Sequence, residues 1–63
     1  MKIGDCVKTP RFLTVRIADI LTMDEAAEQG YKEPTYYDDP DFNVLGKHSG
    51  ENKMKFAAVW KEK

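Results

Sequence analysis

The clearest strand pattern in this sequence lies near its end, between Lys53 and Lys61. Large apolar residues recur there at every second position, and such period-two alternation is typical of a half-buried strand. The predicted core face carries Met54, Phe56, Ala58 and Trp60, and the other face carries Lys53, Lys55, Ala57, Val59 and Lys61. The segment 42–47 reads as a shorter strand. The turn-forming residues 48–52 predict a hairpin between the two.

A second strong strand is predicted from Phe12 to Ile20, where β-branched residues dominate. The dipeptide Thr9-Pro10 bounds this strand, because proline has no N–H to donate to a neighbouring strand. The preceding residues, 3–8, predict a short edge strand with Ile3 and Val7 on one side.

One short helix is predicted from Met23 to Gln29. Thr22 and Glu25 have the spacing of a capping box, in which the N-cap side chain and the N3 side chain satisfy each other's backbone N–H groups. Gly30 is placed to end the helix in the left-handed conformation, and Tyr31 is expected to fold back onto it. So short a helix needs a sheet to hold it.

These elements predict an α+β fold, with a three- to four-stranded antiparallel sheet and the helix packed on one face. The segment from Lys32 to Asp41 reads as a loop, because it holds two prolines, three aspartates and adjacent tyrosines. Loops carry function more often than the elements that they connect. A length of 63 residues leaves room for a single domain, 1–63, with a small core.

The single cysteine, Cys6, cannot form an internal disulfide and favours a reducing compartment. No apolar run approaches the roughly 20 residues that span a bilayer, and the N-terminus lacks the apolar stretch of a signal peptide. We therefore expect a cytoplasmic protein, bacterial or of phage type, that does not act in a membrane.

Several short segments resemble a group of proteins from mobile elements. They are Thr9-Pro10-Arg11-Phe12, Thr14-Val15-Arg16-Ile17, residues 25–36, Gly46-Lys47 and Phe56-Ala57-Ala58. In these segments the chain resembles short uncharacterised proteins of phages and conjugative elements of gut anaerobic bacteria. The resemblance implies an accessory protein of a mobile element and assigns neither an activity nor catalytic residues.

Charge along the chain is divided into three blocks, although the net charge is only −1. Residues 1–18 hold four basic side chains and one acidic one, residues 19–42 hold eight acidic and one basic, and residues 43–63 hold five basic and two acidic. If the two basic blocks share a sheet, the domain has a basic side and an acidic side. The small net charge argues against a generic nucleic-acid binder, which is usually basic overall.

The residue types of known catalytic and metal sites are present without the required spacing. Asp38, Asp39 and Asp41 supply oxygen ligands but lack the glycine and the closing glutamate of a calcium loop. Cys6 and His48 are the only thiol–imidazole pair, and nothing in the sequence brings them together. We find no phosphate loop, zinc spacing or triad. We therefore expect a non-enzymatic protein without a metal or a small-molecule cofactor.

Two binding interpretations remain, and the first, a protein partner or self-association, is favoured. Aromatic side chains are enriched at interfaces, and a tyrosine–aspartate set in the acidic segment comprises Tyr31, Tyr36, Tyr37, Asp38 and Asp39. The alternative is that individual tyrosines cover the small core. The edges of the sheet offer a further route, by strand addition.

The second interpretation is nucleic-acid binding by the basic face of the sheet. The residues concerned are Phe12, Arg16, Lys53, Lys55 and Lys61. Phe12 would offer a stacking surface and the cations would contact phosphate. The alternative here is an ordinary charged, solvated face of an antiparallel sheet.

Overall fold

The computed structural model describes residues 1–37, 39–50 and 53–61, which form five strands and one helix. The strands are β1 (Cys6–Thr9), β2 (Leu13–Leu21), β3 (Glu33–Pro34), β4 (Phe42–His48) and β5 (Met54–Trp60), and the helix is α1 (Met23–Gln29). The predicted α+β class is confirmed, and so are the four longer strands, each within a few residues of its predicted bounds.

The sheet has five strands in the order β1-β2-β5-β4-β3 and is mixed, so the prediction of three or four antiparallel strands is wrong in this respect. β1 pairs antiparallel with β2, and β4 pairs antiparallel with both β3 and β5. The central pair, β2 and β5, is parallel, with Ile17 opposite Phe56 and Leu21 opposite Val59. Alternation marks which residues share a face, but it says nothing of strand direction or of which strands are neighbours.

The predicted loop 32–41 contains a strand that the sequence pattern does not reveal. β3 is only two residues long, with Glu33 opposite Gly46 and Pro34 opposite Leu45. Proline is tolerated because β3 is at the edge of the sheet. The buried hydroxyl of Thr35 donates to the Val44 carbonyl over 2.6 Å and ties the end of this strand to β4.

Helix α1 has the predicted bounds and the predicted caps. The Thr22 hydroxyl accepts from the Glu25 N–H over 3.2 Å, and the Glu25 carboxylate accepts from the Thr22 N–H over 3.1 Å. Gly30 ends the helix with φ 84°, and the Tyr31 N–H donates to the Ala26 carbonyl over 2.9 Å. This bond turns the chain back, and Tyr31 packs in one cluster with Ala26.

Two apolar clusters lie on opposite faces of the sheet. The helix-side cluster consists of Leu21, Ala26, Tyr31, Ala57 and Val59. The opposite-face cluster consists of Val15, Ile17, Phe42, Val44 and Ala58, with Phe12, Tyr37 and Phe56 among the half-buried residues packed against it.

Strand β5 is therefore covered on both faces along part of its length. Ala57, Ala58 and Val59 in succession are fully buried, although the alternation predicts burial on one face only. The reason is that α1 covers the face that carries Ala57 and Val59. Burial on both faces is the usual environment of parallel strands.

The seven-residue α1 is the sole helix among the described residues, and none of them forms a helix long and apolar enough to cross a membrane.

We predict that Thr22→Ala destabilises the domain by about 1 kcal/mol, because the exposed Thr22 side chain contributes chiefly as the helix cap. Thr22→Ser is the matched control, since serine keeps the accepting hydroxyl. Urea unfolding followed by circular dichroism measures the difference. Equal unfolding midpoints for the two variants would contradict the prediction.

Candidate binding groove

The two central strands separate at one end of their pairing and leave a groove. β5 pairs with β2 only from Ile17 onward, whereas residues 13–16 of β2 pair with β1 alone. The open groove between them has a volume of about 530 Å³. Its apolar lining is Phe12, Val15, Ala18, Met54 and Phe56, and its polar lining is Thr14, Arg16 and Lys55.

An irregularity in β2 accompanies this opening. The register between β2 and β5 shifts between Ile17 and Asp19, so that Ala18 is an additional residue on β2. A bulge of this kind bends the strand and increases its twist. The residues before Ile17 are consequently free to diverge from β5.

The aromatic lining is built from both ends of the chain. The rings of Phe12 and Phe56 meet edge to face, with centroids 5.2 Å apart. Phe56 lies against β4 because Gly46 has no side chain there, and a Cβ at Gly46 would lie 2.9 Å from Phe56 Cε1. The absence of a side chain at Gly46 thus lets the Phe56 ring occupy this position.

Arg11 holds Phe12 from the side of β3. Its guanidinium carbon lies 5.0 Å from the centroid of the Phe12 ring, and Nη1 contacts the Glu33 carboxylate at 3.1 Å and the Pro34 carbonyl at 3.2 Å. The Arg11 N–H also donates to the Thr35 carbonyl over 3.3 Å. The turn between β1 and β2 is thereby joined to the opposite edge strand, and Phe12, which belongs to this turn, lines the groove.

The charge of the groove is positive. Arg16 and Lys55 are exposed, and no carboxylate is among the lining residues that the structure describes. Lys8 lies opposite Thr14 across β1 and β2, on the same face of the sheet as Arg16. The acidic residues Asp24 and Glu25 are in the first turn of the helix. These two carboxylates lie outside the groove lining, although Glu33 of the acidic block contacts Arg11 of the basic one.

Three of the five residues predicted for nucleic-acid binding line this groove, namely Phe12, Arg16 and Lys55. Lys53 is exposed and immediately precedes β5. Lys61 is half-buried at the other end of that strand, about 25 Å from Lys53 at the usual rise per residue, and its N–H donates to the Asp41 carbonyl. Lys61 therefore does not belong to the groove.

Sequence reasoning missed five of the groove residues, namely Thr14, Val15, Ala18, Met54 and Phe56. The alternation placed Met54 and Phe56 on the predicted core face of β5. Their exposure to the groove depends on where the pairing with β2 begins, and no local pattern carries that information.

The predicted tyrosine–aspartate set is not brought together as one exposed patch. Tyr31 is buried, with 3% of its surface exposed, because it closes the helix-side cluster. Tyr37 is half-buried against the opposite-face cluster, and Tyr36 is 68% exposed with φ 60°. Oδ1 of Asp39 accepts from the N–H groups of Asp41 and Phe42 and stabilises a turn. Asp38 lies outside the described residues.

Tyr36 and Tyr37 line a second, smaller pocket of about 210 Å³. Pro34, Thr35 and Val44 are also in its lining. Its position beside β3 and β4 separates it from the groove, which lies between β2 and β5. The two predicted binding surfaces are therefore distinct places on the molecule.

Neither Cys6–His48 chemistry nor a metal cluster finds support in the geometry. Cys6 lies opposite Arg16, on the helix side of the sheet, whereas His48 lies opposite Met54 on the other face. β2 and β5 separate their two strands. Within residues 1–37, 39–50 and 53–61, no group of three or more His, Cys, Asp and Glu side chains is arranged to hold a metal ion.

Comparisons of the chain with protein-family models, with curated proteins and with solved structures find no match. The resemblance to proteins of phages and conjugative elements therefore stays a prediction, and function has to be argued from the groove itself.

Burial shifts the pKa of Tyr31, and this shift has a measurable effect on stability. Burial, and secondarily the negative charge of Asp19, raises the pKa of Tyr31 above its ordinary value of 10.0. The unfolded chain then ionises at a lower pH than the folded one. The contribution of Tyr31 to stability is therefore complete below pH 10 and is lost as the pH rises through the pKa of the folded state.

We predict that Tyr31→Phe flattens the decline of unfolding free energy above about pH 10, because phenylalanine has no proton to lose. Urea midpoints at about pH 8 and pH 11 measure this decline. Tyr36→Phe is the matched control, since it removes the same hydroxyl from a largely exposed tyrosine. The same pH dependence in Tyr31→Phe and the wild type would show that Tyr31 does not contribute.

Proposed function

We propose that this chain is a small non-catalytic binding module that holds a segment of a partner protein in the groove between β2 and β5. The observation that carries the proposal is the separation of the two central strands, which exposes aromatic and cationic side chains from both ends of the chain. A protein is also the kind of partner that the sequence analysis favours. The surface differs from the tyrosine–aspartate set, because Tyr31 of that set is buried in the helix-side cluster.

The composition of the groove suits protein recognition. The Phe12 and Phe56 rings are half-buried and positioned by neighbours, so little side-chain entropy is lost when a partner covers them. Aromatic and arginine side chains are the usual anchors of interfaces. A groove of this size accepts only a short segment, and small interfaces are typical of transient complexes.

The placement of Cys6 and His48 on opposite faces supports the non-catalytic part of the proposal. Nucleophilic catalysis needs the thiol and the imidazole within hydrogen-bond distance of each other. Among the described residues, the groove lining is apolar apart from Thr14, Arg16 and Lys55, and its ionisable side chains are the two cations. Such a lining can bind and orient an anionic group.

Nucleic acid is the second candidate, because Lys8, Arg16 and Lys55 lie on one face and the groove contains aromatic rings. Binding of a single strand requires an aromatic face on which a base can stack. The Arg11 guanidinium already lies over the Phe12 ring, and the Phe56 ring meets it at the edge. These contacts leave less stacking surface than the composition suggests, and we therefore favour protein.

We predict that Arg16→Glu abolishes capture of the partner, because it reverses the charge of an exposed groove residue. Lys32→Glu is the matched control: the same reversal at an exposed residue between α1 and β3. Affinity purification of both variants and the wild type from cells that carry the gene, followed by mass spectrometry, identifies proteins lost only with Arg16→Glu.

One such protein is then purified and titrated in a calorimeter. We expect it to bind the wild type with 1:1 stoichiometry and to bind Arg16→Glu at least about tenfold more weakly, a loss of about 1.4 kcal/mol of binding free energy. Near-ultraviolet circular dichroism confirms that both variants are folded. The proposal fails if the same proteins are recovered with all three baits.

For nucleic acid, we predict that a fluorescent single-stranded oligonucleotide binds weakly at about 50 mM salt and not measurably at about 200 mM, because only phosphate contacts contribute. Fluorescence anisotropy at the two salt concentrations measures this. Tight binding that persists at the higher concentration and is weakened by Phe12→Leu would favour the second candidate instead.

A further inference from the structure

The direction of the backbone groups along β2 shows what the groove can pair with. The N–H of Ile17 donates to the Asp5 carbonyl over 2.8 Å, and the carbonyl of Ile17 accepts from the Gly4 N–H over 2.7 Å. Both backbone groups of Ile17 therefore point toward the β1 side of the strand.

Backbone groups alternate in direction along a strand, so Leu13 and Val15 point the same way as Ile17, and Thr14 points the opposite way. The Thr9 hydroxyl, which donates to the Leu13 carbonyl over 3.0 Å, agrees with this direction. The N–H and carbonyl of Thr14 are thus directed into the groove. Among the described strand pairs, none places a residue of β5 opposite Thr14.

The other wall of the groove, formed by β5, also directs backbone groups into the groove. The Ser49 N–H donates to the Lys53 carbonyl over 2.9 Å, so the backbone carbonyl of Lys53 points toward β4. By the same alternation, the groups of Met54 point away from β4 and toward β2. Among the described strand pairs, neither wall has a partner strand on the side that faces the groove. Strand backbone of this kind accepts an additional strand.

The side chains of an inserted strand would alternate between the two faces of the sheet. On one face they would meet Phe12, Val15 and Phe56, which belong to or pack against the opposite-face cluster. On the other face they would meet the cations Arg16 and Lys55. Charge and hydrophobicity are therefore complementary to a strand in which apolar and acidic residues alternate.

We propose that the groove binds an extended segment of the partner protein with alternating apolar and acidic residues, which adds to β2 as a strand beside Thr14. This inference rests on the proposed function and names the chemistry of the partner. Main-chain hydrogen bonds would supply part of the affinity, and the alternating side chains would supply the specificity.

The test uses a capped peptide of about six residues, a typical strand length, in which valine and glutamate alternate, and a second peptide with lysine in place of glutamate. Isotope-labelled protein is titrated with each. We expect the acidic peptide to shift the amide signals of Thr14, Arg16 and Lys55 and to slow hydrogen exchange of the Thr14 amide at least about tenfold.

Charge reversal provides the matched control. The double variant Arg16→Glu, Lys55→Glu changes two exposed side chains, and we expect it to lose the acidic peptide and to bind the lysine peptide instead. Binding of both peptides by the wild type with equal affinity would overturn the proposed charge complementarity.

Methylation of the peptide nitrogens at alternate residues tests strand addition itself, because it removes N–H donors from one edge of the peptide. Two methylation registers are possible, one with methyl groups at the odd residues and one at the even residues. We expect the peptide of one register to bind at least about tenfold more weakly than the unmodified peptide. If the acidic peptide binds while neither methylation register weakens it and Thr14 exchange is unchanged, strand addition is wrong and the proposed function stands.

If neither peptide shifts the groove signals, the inference is wrong. The purified partner from the capture experiment then decides the proposed function separately. Displacement of the acidic peptide by a single-stranded oligonucleotide at about 200 mM salt would overturn the assignment to a protein segment.

Discussion

The parallel pairing of β2 with β5 is the interaction on which the rest of this structure depends. It joins the hairpin of β1 and β2 to the antiparallel unit of β3, β4 and β5. It also brings Ile17, Ala57 and Ala58 to complete burial at the centre of the sheet. Both apolar clusters include residues of this pair, so the helix-side and opposite-face clusters share one structural support. The groove lies where this pairing begins.

Local features of the fold could be predicted because their signals are local. The bounds of α1 follow from Thr22, Glu25 and Gly30, which are close together in the sequence. The side chains of Thr22 and Glu25 accept hydrogen bonds from backbone N–H groups at the start of the helix, and Gly30 ends it. The long strands follow from alternation, which reflects the pleat of the backbone. In contrast, the mixed direction of the sheet depends on which distant segments meet, and β3 is too short to show a period.

The candidate site was predictable in its charge and not in its shape. Arg16 and Lys55 come from the two basic blocks of the sequence, and both line the groove because the strands that carry them belong to one sheet. The register shift at Ala18 accompanies the groove, and the Phe56 ring that lines it occupies the position beside Gly46; both are features of three-dimensional packing. Tyr31, a candidate interface residue, packs in the helix-side cluster, which is the alternative that the sequence left open.

The position of β5 in the sheet also governs the order in which the chain can become folded. β5 is the last strand in sequence, yet it lies in the middle of the sheet and contacts both β2 and β4. During synthesis the earlier strands emerge from the ribosome without the neighbour that buries Ile17 and Val44. The sheet can close only after Trp60 has left the exit tunnel. Until then the nascent chain exposes apolar strands, as chains rich in long-range pairings do, and chaperones are in a position to influence its folding.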